Sequence, residues 1–139
     1  MTEREIPFSA PMRATLMDGT KTQTRRVLTE AGVRCDSVVD GRAFCIAASG
    51  ARGELICPYG ISGDHLRVTG QPGLLLQITE VRAERLDSIS VGDALAEGAQ
   101  PGSDPVAGYR AIWDGLNKAR GFGWTTNPWV WVIIFVRLQ

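Results

Sequence analysis

Trp129-Val130-Trp131-Val132-Ile133-Ile134-Phe135 is the stretch that decides the fold. Every one of these residues is aromatic or β-branched, so the run from Pro128 to Leu138 reads as a strand. It does not alternate between apolar and polar. A strand that is apolar on both faces is covered on both faces. This run therefore belongs in the interior of a sheet, with material packed above and below it. Trp129, Trp131 and Ile133 project to one side.

Working outward from this strand, Asp104-Pro105 opens the best helix of the chain, a capping residue followed by Pro at the first helical position. Val106, Tyr109, Trp113 and Leu116 recur at helical spacing, with Ile112 beside them. Lys118 and Arg120 suit its C-terminal end, and Gly121 and Gly123 break it. Ser90 caps a shorter helix with apolar Val91, Ala94 and Leu95, ended by Gly98. Leu74 to Leu86 is the longest remaining strand candidate and alternates clearly from Leu76. At the front, Ile6-Pro7-Phe8 reads as a short edge strand, because Pro7 cannot donate to a ladder. Ser9 and Pro11 start a helix carrying Met12 and Leu16 at i and i+4, which Asp18-Gly19 stops. Thr22 to Leu28 reads as a strand. Asp40-Gly41 is a two-residue hairpin turn between strands at Arg34 to Val39 and Arg42 to Ala48. In that register Val39 faces Arg42 and Asp36 faces Cys45, which makes Cys35 and Cys45 diagonal neighbours. Turns at 57–60, 62–64 and 70–73 bracket short strands, one of them His65 to Thr69. Six or seven strands, three short helices and no βαβ rhythm predict an α+β chain, a curved, mostly antiparallel sheet or small barrel with helices on it.

The 139 residues suit one domain with one core. Fifteen basic and fifteen acidic side chains cancel, which argues against holding long nucleic acid by counterion release. No segment approaches the roughly 20 apolar residues of a membrane span, and the N-terminus has no secretory pattern. A cytoplasmic protein is expected. The cysteines, Cys35, Cys45 and Cys57, match no metal motif and are expected to be reduced.

The chemistry concentrates in Gly19-Thr20-Lys21-Thr22-Gln23-Thr24-Arg25-Arg26. It lacks the second glycine of a phosphate-binding P-loop, so triphosphate binding of that kind is rejected. Thr24 is a nucleophile if a base takes its proton, and Lys21 is that base if its pKa is depressed. Arg25 and Arg26 push it that way. Strict alternation puts Lys21 and Thr24 on opposite faces, so they converge only if Lys21 lies in the turn. An exposed basic strand start is the competing reading of the same residues. Glu97 stands in the last turn of the Ser90 helix, against the negative end of the helix dipole. That field favours the protonated form a general acid needs; a solvated Glu on a frayed end is the alternative. His65 has no partner at ligand spacing, so no metal is expected. Tyr59 sits on a turn that could line a cleft. Trp129 reads as core or as a base-stacking platform.

Together these residues resemble the ASCH family of the PUA-like superfamily. Ile6-Pro7-Phe8-Ser9 with Pro11-Met12 resembles its first strand and helix, and Gly19 to Arg26 its G-x-K-T-x-T-x-R motif. Cys57-Pro58-Tyr59-Gly60 with Gly63-Asp64 resembles the turn before its central strand. Asp93-Ala94, Ala96-Glu97-Gly98, Trp113-Asp114 and Asn127 to Val132 resemble the C-terminal half of its phage-associated branch. Arg67, Thr69-Gly70 and a short Gly70-Gln71-Pro72-Gly73 turn depart from that branch.

The resemblance covers most of the chain. It implies a single ASCH-like domain over residues 1–139, built as a small β-barrel flanked by helices. Small bacterial members include N4-acetylcytidine amidohydrolases, which are similar in a Lys, Thr and Glu triad, here Lys21, Thr24 and Glu97. The activity implied is removal of the acyl group from N4-acylated cytidine or cytosine without a cofactor. Arg26, Tyr59 and Trp129 are the expected substrate-binding residues. The expected partner is a small acylated pyrimidine, with RNA as a second candidate. Family relatives also include RNA-binding modules and nucleases, so binding without catalysis and ribonuclease activity are the alternative functions.

Overall fold

The computed structural model describes residues 2–28, 34–47 and 49–139, and for 36–39 the backbone alone. The predicted end of a strand at Ala48 lies outside them. The architecture is mixed α+β, with eight strands among the described residues in two sheets.

The larger sheet has the order β1-β6-β7-β8-β2, from β1 (Glu3–Ile6), β6 (His65–Val68), β7 (Leu75–Arg85), β8 (Trp129–Arg137) and β2 (Gln23–Val27). β1 pairs parallel to β6, and the other pairs are antiparallel. The second sheet is β3 (Arg34–Val39), β4 (Arg42–Ile46) and β5 (Arg52–Ile56). No closed barrel forms among the described residues. β1 and β2 stand at opposite edges of the larger sheet, each laddered to a single neighbour, so the expected ring is open.

The apolar run at 129–135 is where the sequence placed it, inside the sheet between β7 and β2. It separates two cores. Trp131, Ile133 and Phe135 join Ile6, Met12, Leu66, Leu76 and Val81 on one face. Val130 and Val132 join Leu86, Ala94, Tyr109 and Trp113 on the other. A one-residue slip would exchange the two sets.

The helices are α1 (Ala10–Met17), α2 (Val91–Ala96) and α3 (Pro105–Asn117). Their N-caps are Ser9, Ser90 and Asp104, each accepting from the backbone N–H three residues on. The first strand is Glu3–Ile6, and Pro7 and Phe8 follow it, consistent with the N–H that proline lacks. The hairpin at Asp40-Gly41 pairs Val39 with Arg42 as expected. A bulge between Cys35 and Ser37 then shifts the register, so Cys35 faces Cys45 directly and their sulfurs lie 2.8 Å apart. The diagonal arrangement expected from an unbroken ladder is thereby corrected.

The front of the chain is tied to α2 by backbone. Gly19 takes φ +84° after α1. Lys21 N–H then donates to Thr15 O at 3.0 Å, and Thr22 N–H to Ala96 O at 2.8 Å. Gly98, at φ +103°, brings its Cα so near α1 that an added Cβ would lie 3.1 Å from Thr15 Oγ1. Gly98→Ala should therefore cost about 1–2 kcal/mol from the left-handed backbone alone. Urea unfolding measures this; an unchanged midpoint would show that residue 98 is not held in the left-handed conformation.

Candidate functional site

A cavity of about 390 Å³ opens between α1, β2, α2 and α3. Pro7, Phe8, Ser9 and Met12 form one wall, and Tyr109, Ile112, Trp113, Leu116 and Asn117 of α3 form the other. Lys21, Thr24, Arg25, Arg26 and Glu97 supply the polar part, and Arg120 also lines the cavity. Lys21, Thr24 and Glu97 are buried, at 5%, 1% and 1% exposure, whereas Leu116 and Arg120 are exposed. The cavity thus has a polar floor and a mouth at the end of α3.

β2 begins at Gln23, so Lys21 lies in the turn before it, as its convergence with Thr24 requires. Its side chain is free of strand alternation. Lys21 Nζ donates to the main-chain oxygen of Glu97 at 2.8 Å and to Glu97 Oε1 at 3.3 Å. Glu97 is the C-cap of α2, and its other oxygen, Oε2, accepts from Arg25 Nη1 at 3.1 Å. Arg25 also meets Glu84 at 2.5 Å and Asp93 at 3.4 Å. Gln23 bridges this group, bonding to Arg25 and, at 3.1 Å, to Asp93 Oδ1. Arg26 donates to Thr24 Oγ1, and to Pro7 O at 2.7 Å. The Phe8 ring lies 4.8 Å from the Arg26 guanidinium and 5.7 Å from Lys21 Nζ.

Burial pushes the Lys21 ammonium below the usual 10.5. Arg26 and Arg25 push the same way, and Glu97 opposes them. Burial and the Glu97 charge hold the Tyr109 phenol well above its usual value of 10. Glu97 is thus hydrogen-bonded by Lys21 and Arg25, and Tyr109 of α3 lines the same cavity.

Of the six residues singled out in the sequence, Lys21, Thr24, Arg26 and Glu97 line the cavity. Tyr59 and Trp129 are not among its lining residues. Tyr59 packs against the first core. Trp129 starts β8 opposite the far end of β2, where its carbonyl accepts from Leu28, while the Thr22 end of β2 meets Phe135. Its ring packs against the core and under Arg85 at 5.4 Å.

Tyr109 and Arg25 are the functional candidates the sequence reading missed. Tyr109 read as one member of the apolar stripe of α3. The available signal was its hydroxyl, which needs a partner once buried. Among the described residues no group of three or more His, Cys, Asp or Glu stands together to hold a metal ion. No helix among them is long and apolar enough to cross a membrane.

The fold and this cavity define a class, an α+β domain with a charged cleft between its helices and an edge strand. The structural neighbours agree on the fold. An ASCH domain from Lactobacillus crispatus JV V101 superposes with TM-score 0.59 at 17% identity, over 98% of this chain and 79% of that one. The protein EF3133 from Enterococcus faecalis V583 gives TM-score 0.59 at 11% identity, over 99% and 82%. The hypothetical protein PH0355 gives 0.55 at 12%, over 99% and 100%. No family model and no curated protein matches the sequence.

Arg25 holds together three carboxylates from β7 and α2, so its loss leaves buried negative charge unpaired. Arg25→Met should lower stability by about 3–5 kcal/mol. Equilibrium unfolding in urea is the measurement, and a loss below about 1 kcal/mol would show that the cluster does not hold α2 to β2.

Proposed function

We propose that the protein is an amidohydrolase that removes the acyl group from N4-acylated cytidine or cytosine. The observation that carries this reading is the buried Lys21–Glu97 pair beside Thr24 on the floor of a cavity with room for a nucleoside. The apolar and aromatic walls, Phe8, Met12, Ile112 and Trp113, suit a flat base.

In the proposed mechanism a proton first passes from the Lys21 ammonium to the Glu97 carboxylate across their 3.3 Å contact. Lys21 takes the proton of Thr24 as Thr24 Oγ attacks the acyl carbon. Arg26, which donates to Thr24 Oγ1, stabilises the charge that develops on the oxygens. The carbon–nitrogen bond breaks as Glu97 gives its proton to the departing exocyclic amine. This leaves acyl-Thr24, an ammonium on Lys21 and a carboxylate on Glu97. Water then attacks the ester, its proton passing to Glu97 while Lys21 returns one to Thr24. Arg25 holds Glu97 in place throughout.

Thr24→Ala, Lys21→Ala and Glu97→Gln should each lower kcat/KM for N4-acetylcytidine by at least about a hundredfold, measured at a temperature where the less stable Lys21 and Glu97 variants remain folded. Chromatographic release of cytidine is the assay. In the wild type, kcat/KM should fall on the alkaline side with an apparent pKa below lysine's usual 10.5, where the pair loses its shared proton. A stopped reaction should carry an acetyl group on Thr24. Binding of N4-acetylcytidine without turnover would instead favour a module that reads the modified base.

A further inference from the structure

The cavity carries more positive charge than its neutral base-binding role requires. Lys21 is balanced by Glu97, and Arg25 by Glu84, Asp93 and Glu97. Arg26 and Arg120 have no carboxylate within 4 Å among the described residues. Arg26 is at the floor, committed to Thr24 and to two main-chain oxygens. Arg120 is at the mouth.

Arg120 is also held in position. The left-handed Gly121, at φ +89°, turns the chain so that Phe122 N–H reaches Asn117 O at 3.2 Å. Asn117 Oδ1 then accepts from Arg120 Nη1 at 2.9 Å, and the Phe122 ring lies 5.9 Å from the guanidinium. Asn117 Nδ2 is itself fixed by Trp113 O at 3.2 Å. One N–H of Arg120 is used on Asn117, and no other hydrogen bond to protein engages this guanidinium among the described residues. A guanidinium held this way, exposed at the mouth of a cavity with net positive charge, is suited to an oxyanion.

We propose that Arg120 binds the phosphate of the ligand, so that the preferred substrate is a nucleoside monophosphate rather than the free nucleoside or base. The proposal rests on the amidohydrolase reading for the identity of the base. In a nucleotide the N4 substituent and the phosphate lie at opposite ends. Seating the acyl group at Lys21, Thr24 and Glu97 directs the sugar and phosphate toward the mouth. Arg120 sets specificity and takes no part in the chemistry.

Calorimetric titration of cytidine, cytidine 5′-monophosphate and cytidine 3′-monophosphate tests this. One of the monophosphates should bind about tenfold more tightly than cytidine, and added salt should weaken that preference. Arg120→Gln should bring the ratio close to one, and Arg120→Lys should restore most of it. Equal or undetectable binding of all three, or a ratio untouched by Arg120→Gln, overturns the proposal. Parallel assays of N4-acetylcytidine and its 5′-monophosphate separate the two readings. If neither is hydrolysed while the Arg120-dependent preference holds, the amidohydrolase reading fails and the phosphate site stands.

Discussion

The structure depends on one buried carboxylate. Glu97 ends α2 at 1% exposure, with Lys21 on one oxygen and Arg25 on the other. Burying three charged groups is unfavourable unless each is paired and the remaining donors and acceptors are used. The chain pairs the charges by bringing four segments together, leaving the buried Arg25 Nε as the one donor of this group without a partner among the described residues. The turn after α1 supplies Lys21, the edge strand β2 supplies Arg25, β7 supplies Glu84, and α2 supplies Asp93 and Glu97. The main-chain bond from Thr22 to Ala96 and the close approach of Gly98 to Thr15 serve the same convergence.

Convergence of this kind leaves space as well as contacts. α3 packs its apolar stripe on the second core while its Tyr109 also lines the cavity. The gap between α3 and the Pro7–Met12 wall becomes the cavity. Its floor is buried and polar, its walls are apolar, and its mouth carries an arginine. That order suits a ligand with a polar reacting group at one end, a flat middle and an anion at the other.

The elements were legible in the sequence where one residue type has one explanation. The run at 129–135 can only be an interior strand, and Ser9, Ser90 and Asp104 announce their helices. Lys21, Thr24 and Glu97 were legible as candidates from residue chemistry and family resemblance, and the glycine at 19 indicated a turn that could let Lys21 face Thr24. What was not legible depended on a third dimension. The bulge that sets Cys35 opposite Cys45 leaves no mark in the pattern of side chains, since an unbroken hairpin fits the same residues. Tyr109 looked apolar because its neighbours at helical spacing are, and Trp129 looked available because a strand start is often open. The barrel expectation failed for the same reason: whether a sheet closes depends on which strands stand at its edges, and here β1 and β2 each keep one ladder neighbour.

The measurement closest to the central claim is the titration of the Lys21 amine itself, followed by the ¹³Cε resonance of labelled lysine. The chain has two lysines, Lys21 and Lys118, so Lys118→Arg assigns the signal. A buried Lys21 facing Glu97 should titrate below 10.5, and Glu97→Gln should lower it further, because the carboxylate is what supports the ammonium. A titration at or above 10.5, unmoved by Glu97→Gln, would place Lys21 in solvent and contradict the account.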